Sequence, residues 1–286
     1  MEKYNFIVVT PCKNEEDSLP GLIESVLNST VKPKMWVIID DGSTDSTPEI
    51  LKDFEDRYSW VHVIHGIESE RDLSFHYSEI VDSAIKHSLN LCTKKNIPCD
   101  FISLIDADMY LDADFFEKIL ERMDKDPNLG ICSGSAAYYL NGELVNETGR
   151  SQNPIGGLRI WRTKCFEDSG GFPYSYSADS VSNVLALLGG WKIMKYDDVI
   201  AITARPTTST EGYWKGYKTR GISDYYRDYH PFYVLLKSIK YLAKNPYYIG
   251  VAYLSGYMHG VFVLKEKIDI PEVRCYYKNK YKEFLD

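Results

Sequence analysis

Residues Phe101 to Leu111 read F-I-S-L-I-D-A-D-M-Y-L. Four of the first five are apolar, the pattern of a short strand buried on both faces. The run ends at two carboxylates, Asp106 and Asp108, separated by one alanine. In an open parallel sheet, ligands sit beyond the carboxyl ends of the strands. Two acidic groups placed there can hold a hard divalent cation, with a diphosphate completing its oxygen shell. Asp-x-Asp alone is also an ordinary polar turn, because Asp favours turns. The surrounding sequence decides between the two.

Upstream, the same arrangement recurs. Phe6 to Val9 is a short apolar run closed by Thr10-Pro11-Cys12-Lys13-Asn14-Glu15-Glu16, whose proline is expected to stop a central ladder. Leu19, Leu22, Ile23, Val26 and Leu27 then recur at helical spacing. Trp36 to Ile39 predicts a second strand, stopped by Asp40-Asp41-Gly42-Ser43-Thr44-Asp45. Ser46, Thr47 and Pro48 open a second helix, with Glu49 placed to complete a capping box. Trp60 to Ile64 predicts a third strand, and Tyr77, Ile80, Val81, Ala84, Ile85, Leu89 and Cys92 form the stripe of a third helix. Strand and helix thus alternate three times before the 101–105 strand, the pattern of a parallel, doubly wound sheet. The ends at Pro11–Glu15, Asp40-Asp41 and Asp106/Asp108 should all open on one crevice.

Downstream the order becomes mixed. A helix is expected from Asp112 or Ala113 to about Asp126, and a β-like run from Ile131 to Leu140 leads into an Asn141-Gly142 hairpin turn. Leu158 to Trp161 reads as a strand, Ser169 to Pro173 as a tight turn, Asp179 to Leu188 as a helix and Trp191 to Ile202 as one or two strands. Antiparallel strands added to the sheet edge would build a further wall beside the crevice.

Composition sets outer limits. The chain has 286 residues, 44% hydrophobic and 26% charged, enough for a full globular core. A net charge of −8 argues against nucleic acid as a partner. The six cysteines are scattered, with no C-x-x-C pair, so neither zinc nor a disulfide framework is expected and reduced thiols in the cytoplasm are. The apolar stretch near Met1 is too short for a signal peptide. No G-x-G-x-x-G follows Val9 and no G-x-x-x-x-G-K-[ST] occurs, which removes dinucleotide-fingerprint and P-loop readings.

The series F-I-V-V-T-P-C-K-N-E-E, V-I-I-D-D-G-S-T-D-S-T and I-D-A-D-M resembles the GT-A fold glycosyltransferases of family 2 over about the first half of the chain. S-G-G-F-P, A-D-S-V-S-N-V-L-A-L-L-G-G-W-K-I and A-R-P-T-T look like the acceptor half of archaeal and bacterial members, to about Arg220. The resemblance implies an α/β fold with a mostly parallel central sheet flanked by helices, and a helical C-terminal extension. It implies a GT-A domain over 1–224, divided into a nucleotide-binding half (1–111) and an acceptor-side half (112–224), followed by an extension over 225–286.

The resemblance also implies roles. Thr10, Pro11, Asn14, Glu15 and Asp41 would hold the nucleobase and ribose of a UDP- or GDP-linked sugar. Asp106 would reach the ribose or a metal-bound water, and Asp108 would ligate Mg²⁺ or Mn²⁺. Asp179 falls where the family places its general base; Asp and Ser at that point also suit a helix cap. The expected activity is inverting transfer to an acceptor hydroxyl or lipid phosphate in cell-envelope glycan synthesis. Family members often write His-x-Arg-Pro-Thr where this chain has Thr203-Ala204-Arg205-Pro206-Thr207, which leaves one metal or phosphate contact fewer. The Q-x-x-R-W signature of processive synthases is missing.

Glu211 to Gly221 reads as a mobile loop whose Lys218 or Arg220 would close over the diphosphate; an ordinary solvated basic loop is the plainer reading. From Tyr225 onward tyrosine, lysine and aliphatics dominate. Leu235, Leu236, Ile239 and Leu242 recur at helical spacing, and residues 245–264 contain no Asp, Glu, Lys or Arg. Asn245, Pro246, Ser255, His259 and three glycines make this run a weak bilayer span. Gly256-x-x-x-Gly260 suits close helix packing. A buried helix, or one lying against the cytoplasmic face of a membrane, is expected, with a glycan or lipid-linked acceptor.

Three other functions compete. A D-x-D phosphohydrolase would want Thr or Val where Tyr110 stands. A sugar nucleotidyltransferase would want a Gly-rich, Arg-bearing first loop, which Thr10–Glu15 is not. A nucleotide-sugar-binding protein without turnover is kept alive by Thr203 and by Ala178 preceding Asp179.

Overall fold

The computed structural model describes residues 4–66, 75–140, 142–146, 153–204, 212–264 and 266–284. The chain divides into two compact units. The first comprises Met1–Tyr174 and Ala178–Ala204; the second comprises Ser175–Ser177 and Arg205–Asp286.

In the first unit, β1 (Phe6–Cys12), α1 (Leu19–Leu27), β2 (Met35–Asp40), α2 (Thr47–Arg57), β3 (Val61–His65), α3 (Phe75–Lys95) and β4 (Phe101–Ile105) alternate. The four strands lie in the order β3-β2-β1-β4, all parallel. Their buried residues alternate between the two faces. Phe6 and Val8 pack with α1 and α2, whereas Ile7 and Val9 pack with α3. Each apolar run therefore covers both faces, which is why it reads as continuous rather than alternating.

Then follow β5 (Met109–Leu111), α4 (Phe115–Lys125), β6 (Leu129–Leu140), β7 (Glu143–Asn146), β8 (Leu158–Arg162), α5 (Thr163–Asp168), α6 (Ala178–Leu188) and β9 (Lys192–Thr203). The sheet continues past β4 as β8-β6-β9-β5, with β7 hairpinned onto β6. β8 runs antiparallel to β4 and β6, and β5 antiparallel to β9, as the mixed second half of the sequence suggested. Asn141 of the expected turn lies outside the described residues; Gly142 has φ of +84° and Leu140 pairs with Glu143.

Two local expectations are corrected. Pro11 does not stop β1, which runs on to Cys12 in register with β2. Its last partner in β4 faces Val9, so beyond that point β1 is paired on one side only and a missing N–H is tolerated. The Ser46 side chain makes no cap bond at α2. The Thr47 N–H donates to Asp45 Oδ1 (3.0 Å), and the Ser46 N–H to Glu16 Oε2 (2.9 Å).

The second unit is helical: α7 (Gly212–Tyr226), α8 (Pro231–Leu242), α9 (Ile249–His259) with a π-helical turn at Gly260–Leu264, α10 (Pro271–Asn279) and a closing 3₁₀ turn at Lys280–Phe284. Here the expected loop at 211–221 is corrected, because Gly212 to Gly221 is helix. Glycine is there for contact rather than freedom: a Cβ on Gly221 would stand 2.0 Å from the Tyr253 carbonyl oxygen, and one on Gly256 1.9 Å from that of Lys218. Helices α7 and α9 thus touch backbone to backbone, and tertiary packing overrides glycine's low helix propensity. Gly260 packs against the Tyr225 ring, so the G-x-x-x-G pattern serves an internal helix contact.

At the centre of this unit Asp224 is fully buried and accepts hydrogen bonds from Arg227 (2.6 Å), Lys237 (2.7 Å) and Tyr253 (2.5 Å). Burial opposes its ionisation, but Lys237 and Arg227 hold its carboxyl below the usual range. The Lys237 ammonium lies 5.1 Å from the Tyr253 ring centroid and 5.6 Å from that of Tyr229. The late run of tyrosines therefore lines a core built around charge.

Candidate active site

The ends of β1, β2 and β4 bring their loops together within the first unit. The first two loops are stitched to each other. The Asn14 N–H donates to Ser43 Oγ (2.9 Å), and Asn14 Oδ1 accepts from the Thr44 N–H (2.8 Å). The Glu15 N–H donates to Thr47 Oγ1 (2.9 Å), and the Glu16 N–H to Asp45 Oδ2 (3.2 Å). Asn14 adopts φ of +53°, a conformation Asn tolerates better than most residues and one that turns its amide toward the second loop. Glu15 is buried and accepts from the Ser18 hydroxyl.

The Asp pair divides its work. Asp40 is buried; its carboxylate accepts from the Ser43 N–H (3.0 Å) and lies 3.4 Å from His65 Nδ1. Asp41, more accessible, has Lys13 Nζ 3.4 Å from one carboxylate oxygen and His76 Nε2 2.9 Å from the other. Lys13 and His76 were not singled out from the sequence. Thr10 is fully buried, its hydroxyl accepting from the Trp36 indole at 2.9 Å, so this side chain braces the sheet instead of lining the crevice. Burial beside Asp40 pushes the Cys12 thiol well above its ordinary value, which suits a packing role.

At the end of β4, Asp106 is clamped from two sides. The Tyr77 hydroxyl, from α3, donates to Oδ1 at 3.0 Å. The Asp106 N–H donates to the Gly157 carbonyl at 2.9 Å, and Oδ2 lies where a Cβ on Gly157 would be. Burial and the neighbouring Asp106 charge raise the Tyr77 phenol well above its ordinary value, so it stays a donor. Asp108 is fixed through its carbonyl, which accepts from the Ala204 N–H at 2.8 Å. Thr203 is buried opposite Met109, one residue from Asp108. Arg205, Pro206 and Thr207 lie outside the described residues.

Asp179 sits in the first turn of α6, inside the helix and not at its cap. A Cβ on Gly156 would lie 3.4 Å from its Oδ2. The dipeptide Gly156-Gly157 thus has Asp179 beside one residue and Asp106 against the next. Underneath runs Arg159, fully buried. Its guanidinium donates to the carbonyls of Ile155 (3.1 Å), Gly156 (3.2 Å), Pro154 (3.3 Å) and Asp179 (3.2 Å). Burial lowers its proton affinity, opposed by Asp179, Tyr77 and Asp106. One arginine therefore holds the lead-in to β8 and the start of α6 while placing positive charge near both carboxylates. A charged residue inside the apolar strand L-R-I-W-R, preceded by two glycines, was the available signal for this arrangement. Lys218 and Arg220 lie on α7 in the second unit, where the Arg220 guanidinium stacks 4.9 Å from the Tyr217 ring centroid.

Asp106 and Asp108 offer hard oxygen donors, the chemistry that suits Mg²⁺ or Mn²⁺. Among the described residues no three His, Cys, Asp or Glu side chains gather into a ready cage. The pair therefore fits a cation whose remaining ligands come from elsewhere, such as phosphate oxygens and water.

A parallel α/β sheet extended by antiparallel strands, with acidic loops at the ends of β1, β2 and β4, defines a GT-A glycosyltransferase domain. The chain belongs to glycosyl transferase family 2, whose profile matches residues 7–180. It is 27% identical over 124 residues to the poly-β-1,6-N-acetyl-D-glucosamine synthase of Staphylococcus epidermidis, a match covering 43% of this chain and 26% of that one. It is 23% identical over 140 residues to the cholesterol galactosyltransferase of Borreliella burgdorferi, covering 49% and 35%. The matched stretch thus spans about a quarter to a third of those relatives. In fold it is similar to the mannosyltransferase PcManGT from Pyrobaculum calidifontis, solved with GDP-Man and Mn²⁺. That likeness has a TM-score of 0.57 and 15% identity, over 99% of this chain and 82% of that one. It is also similar to S. aureus TarS 1–349, with a TM-score of 0.53 and 16% identity over 92% and 73%.

Proposed function

We propose that the chain transfers a sugar from a UDP- or GDP-linked donor to an acceptor hydroxyl or lipid phosphate, with inversion at the anomeric carbon. The observation that carries this reading is the placement of Asp106 and Asp179 on the two neighbouring residues of one glycine dipeptide. A donor held at Asp106 would present its anomeric carbon toward a second carboxylate. The structures solved for similar folds hold GDP-Man with Mn²⁺ and UDP-GlcNAc, which supports a nucleotide-sugar as the donor class.

In this reading the bond from the anomeric carbon to the diphosphate breaks, and the diphosphate leaves with the electron pair. The acceptor oxygen attacks from the opposite face; the proton of a hydroxyl acceptor passes to Asp179, whereas an ionised lipid phosphate attacks without releasing one. A divalent cation held by Asp108 and Asp106 would offset the charge developing on the leaving diphosphate. Tyr77 and Gly157 fix the Asp106 carboxylate, and Arg159 fixes the backbone that carries Asp179. Asn14, Glu15 and Pro11 shape the loop against which Asp41 meets the base. The acceptor is a glycan or lipid-linked group.

The test is thermal stabilisation and calorimetry with UDP, GDP, dTDP and CDP, each with Mn²⁺, Mg²⁺ or EDTA. Stabilisation by one diphosphate only with metal supports the reading and identifies the donor class. Binding that ignores EDTA leaves charge neutralisation to the protein's own cations and removes the metal from the reading. No binding of any diphosphate rules the reading out.

A further inference from the structure

The second unit carries an apolar surface that nothing among its described residues covers. On α8 the side chains of Phe232, Leu235, Ile239 and Leu242 follow one another at helical spacing and are all exposed, Leu235 by 50% and Ile239 by 54%. The opposite side of α8 is the packed one: Val234 and Ser238 are buried, and Lys237 reaches Asp224. On α9 and its π-helical turn, Val251, Met258, Val261, Phe262 and Val263 are exposed, Phe262 by 67%.

These two stripes adjoin. Ser238 Oγ donates to the Gly250 carbonyl at 2.9 Å, and a Cβ on Gly250 would stand 2.6 Å from the Ser238 carbonyl oxygen, so α8 and α9 lie in backbone contact. Helix α7 packs on the other side, through Gly221 and Gly256. The outward faces of α8 and α9 are left side by side. Contiguous apolar surface of this kind marks an interaction site.

The surrounding residues say what covers it. Lys240 and Lys244 are exposed at the end of α8. Tyr213 and Trp214 at the start of α7, and Tyr247 and Tyr248 before α9, are about half exposed or more, with the Trp214 and Tyr248 rings 6.2 Å apart. Lysine is depleted from protein–protein interface cores, whereas tyrosine, tryptophan and lysine gather at the headgroup level of bilayers. Charge points the same way. Residues 205–286 hold 14 Lys and Arg against 8 Asp and Glu, a net +6 in a chain whose total is −8. No helix among the described residues is long and apolar enough to cross a membrane.

We infer that the outward face of α8, α9 and the Gly260–Leu264 turn docks in the plane of an anionic lipid bilayer, with the apolar stripes at the acyl boundary and the lysines among the headgroups. This narrows the membrane contact expected of the C-terminal helices to one surface and one lipid class. It rests on the second unit alone and holds whatever the crevice of the first unit does.

The test is co-sedimentation of the full chain with vesicles of mixed phosphatidylglycerol and phosphatidylcholine, beside vesicles of phosphatidylcholine alone. Binding is expected to the anionic vesicles, to weaken with added salt, and to fall about tenfold or more when Leu235→Glu and Ile239→Glu are combined. Both side chains are half exposed, so the double variant should melt like the parent. Asp108→Asn should bind vesicles as the parent does, which separates this surface from the nucleotide site. Failure to bind phosphatidylglycerol vesicles overturns the inference, and so does binding that the double substitution leaves intact. A dimer in solution that the same substitutions dissolve also overturns it, by giving the face to a second copy of the chain.

Discussion

Asp106 rests against the bare Cα of Gly157: a Cβ added there would stand 1.7 Å from its Oδ2. The obstruction is the Asp106 carboxylate itself, and the hydrogen bond from the Asp106 N–H to the Gly157 carbonyl keeps the two backbones from parting to make room. Gly157→Ala is therefore expected to displace the carboxylate. Transfer activity and metal-dependent nucleotide binding should both be lost while circular dichroism stays native. Unchanged metal-dependent stabilisation in this variant would count against Asp106 as a donor-side group.

Tyr77→Phe removes one hydrogen bond to a carboxylate and leaves the ring in place. Hydrogen bonds to charged groups contribute about 1.5–3 kcal/mol, so kcat/KM should fall about 10- to 100-fold. Because the Tyr77 hydroxyl acts through Asp106, the loss should appear with every acceptor tried. A variant indistinguishable from the parent would make the Tyr77 contact purely structural.

Asp179→Asn and Asp108→Asn should fail differently. The first should keep nucleotide binding and lose turnover, since a carboxamide cannot take the acceptor's proton. The second should lose the metal-dependent part of nucleotide binding. Calorimetry and single-turnover transfer on both variants separate the two; nucleotide binding lost equally in both would undo the division of roles.

Asp224 supports the helical unit. Removing a buried, paired charge leaves its partners uncompensated, and Asp224→Ala should cost about 3–5 kcal/mol. Its folded pKa lies below the unfolded value of about 3.9, so its contribution is complete above that pH and is lost as pH falls through the folded value. Urea midpoints of parent and Asp224→Asn should converge toward acid and differ most at neutral pH. A constant gap across the acid range would refute the linkage.

What was legible in the sequence follows from where the information sits. Runs such as Phe6–Val9 and Trp36–Ile39 announce buried strands because both faces are apolar, and strand–helix alternation fixes their parallel order. Asp106 and Asp108 could be singled out because they close a strand, and Asp179 because the resemblance reaches the segment that holds it. Tyr77 was hidden by its neighbours: it falls on the apolar stripe of α3, and only the position of the helix over β4 shows where its hydroxyl reaches. Arg159 was legible only as a charge inside an apolar strand; its partners are backbone carbonyls, which the residue pattern does not name. Thr10 was expected at the nucleotide from the resemblance alone, and its inward hydroxyl depends on Trp36 of another strand, a partner the local sequence does not show. Gly216 and Gly221 suggested a loop because the contact that needs Gly221, the Tyr253 backbone, lies on another helix.

The hydrogen bonds between Asn14, Glu15 and Glu16 on one side and Ser43 to Thr47 on the other join two sequence motifs into a single part. Neither loop can be transplanted without its counterpart. A chimaera that takes residues 10–16 from a relative and keeps 40–47 would lose the Asn14 Oδ1 and Glu16 Oε2 acceptors unless the relative supplies them, leaving the Thr44 and Ser46 N–H groups without their partners. Substitutions on opposite sides of the seam should also be strongly non-additive, the second costing far less than it does alone. Any redesign of this side of the crevice thus has the paired loops, and not the single residue, as its unit of exchange.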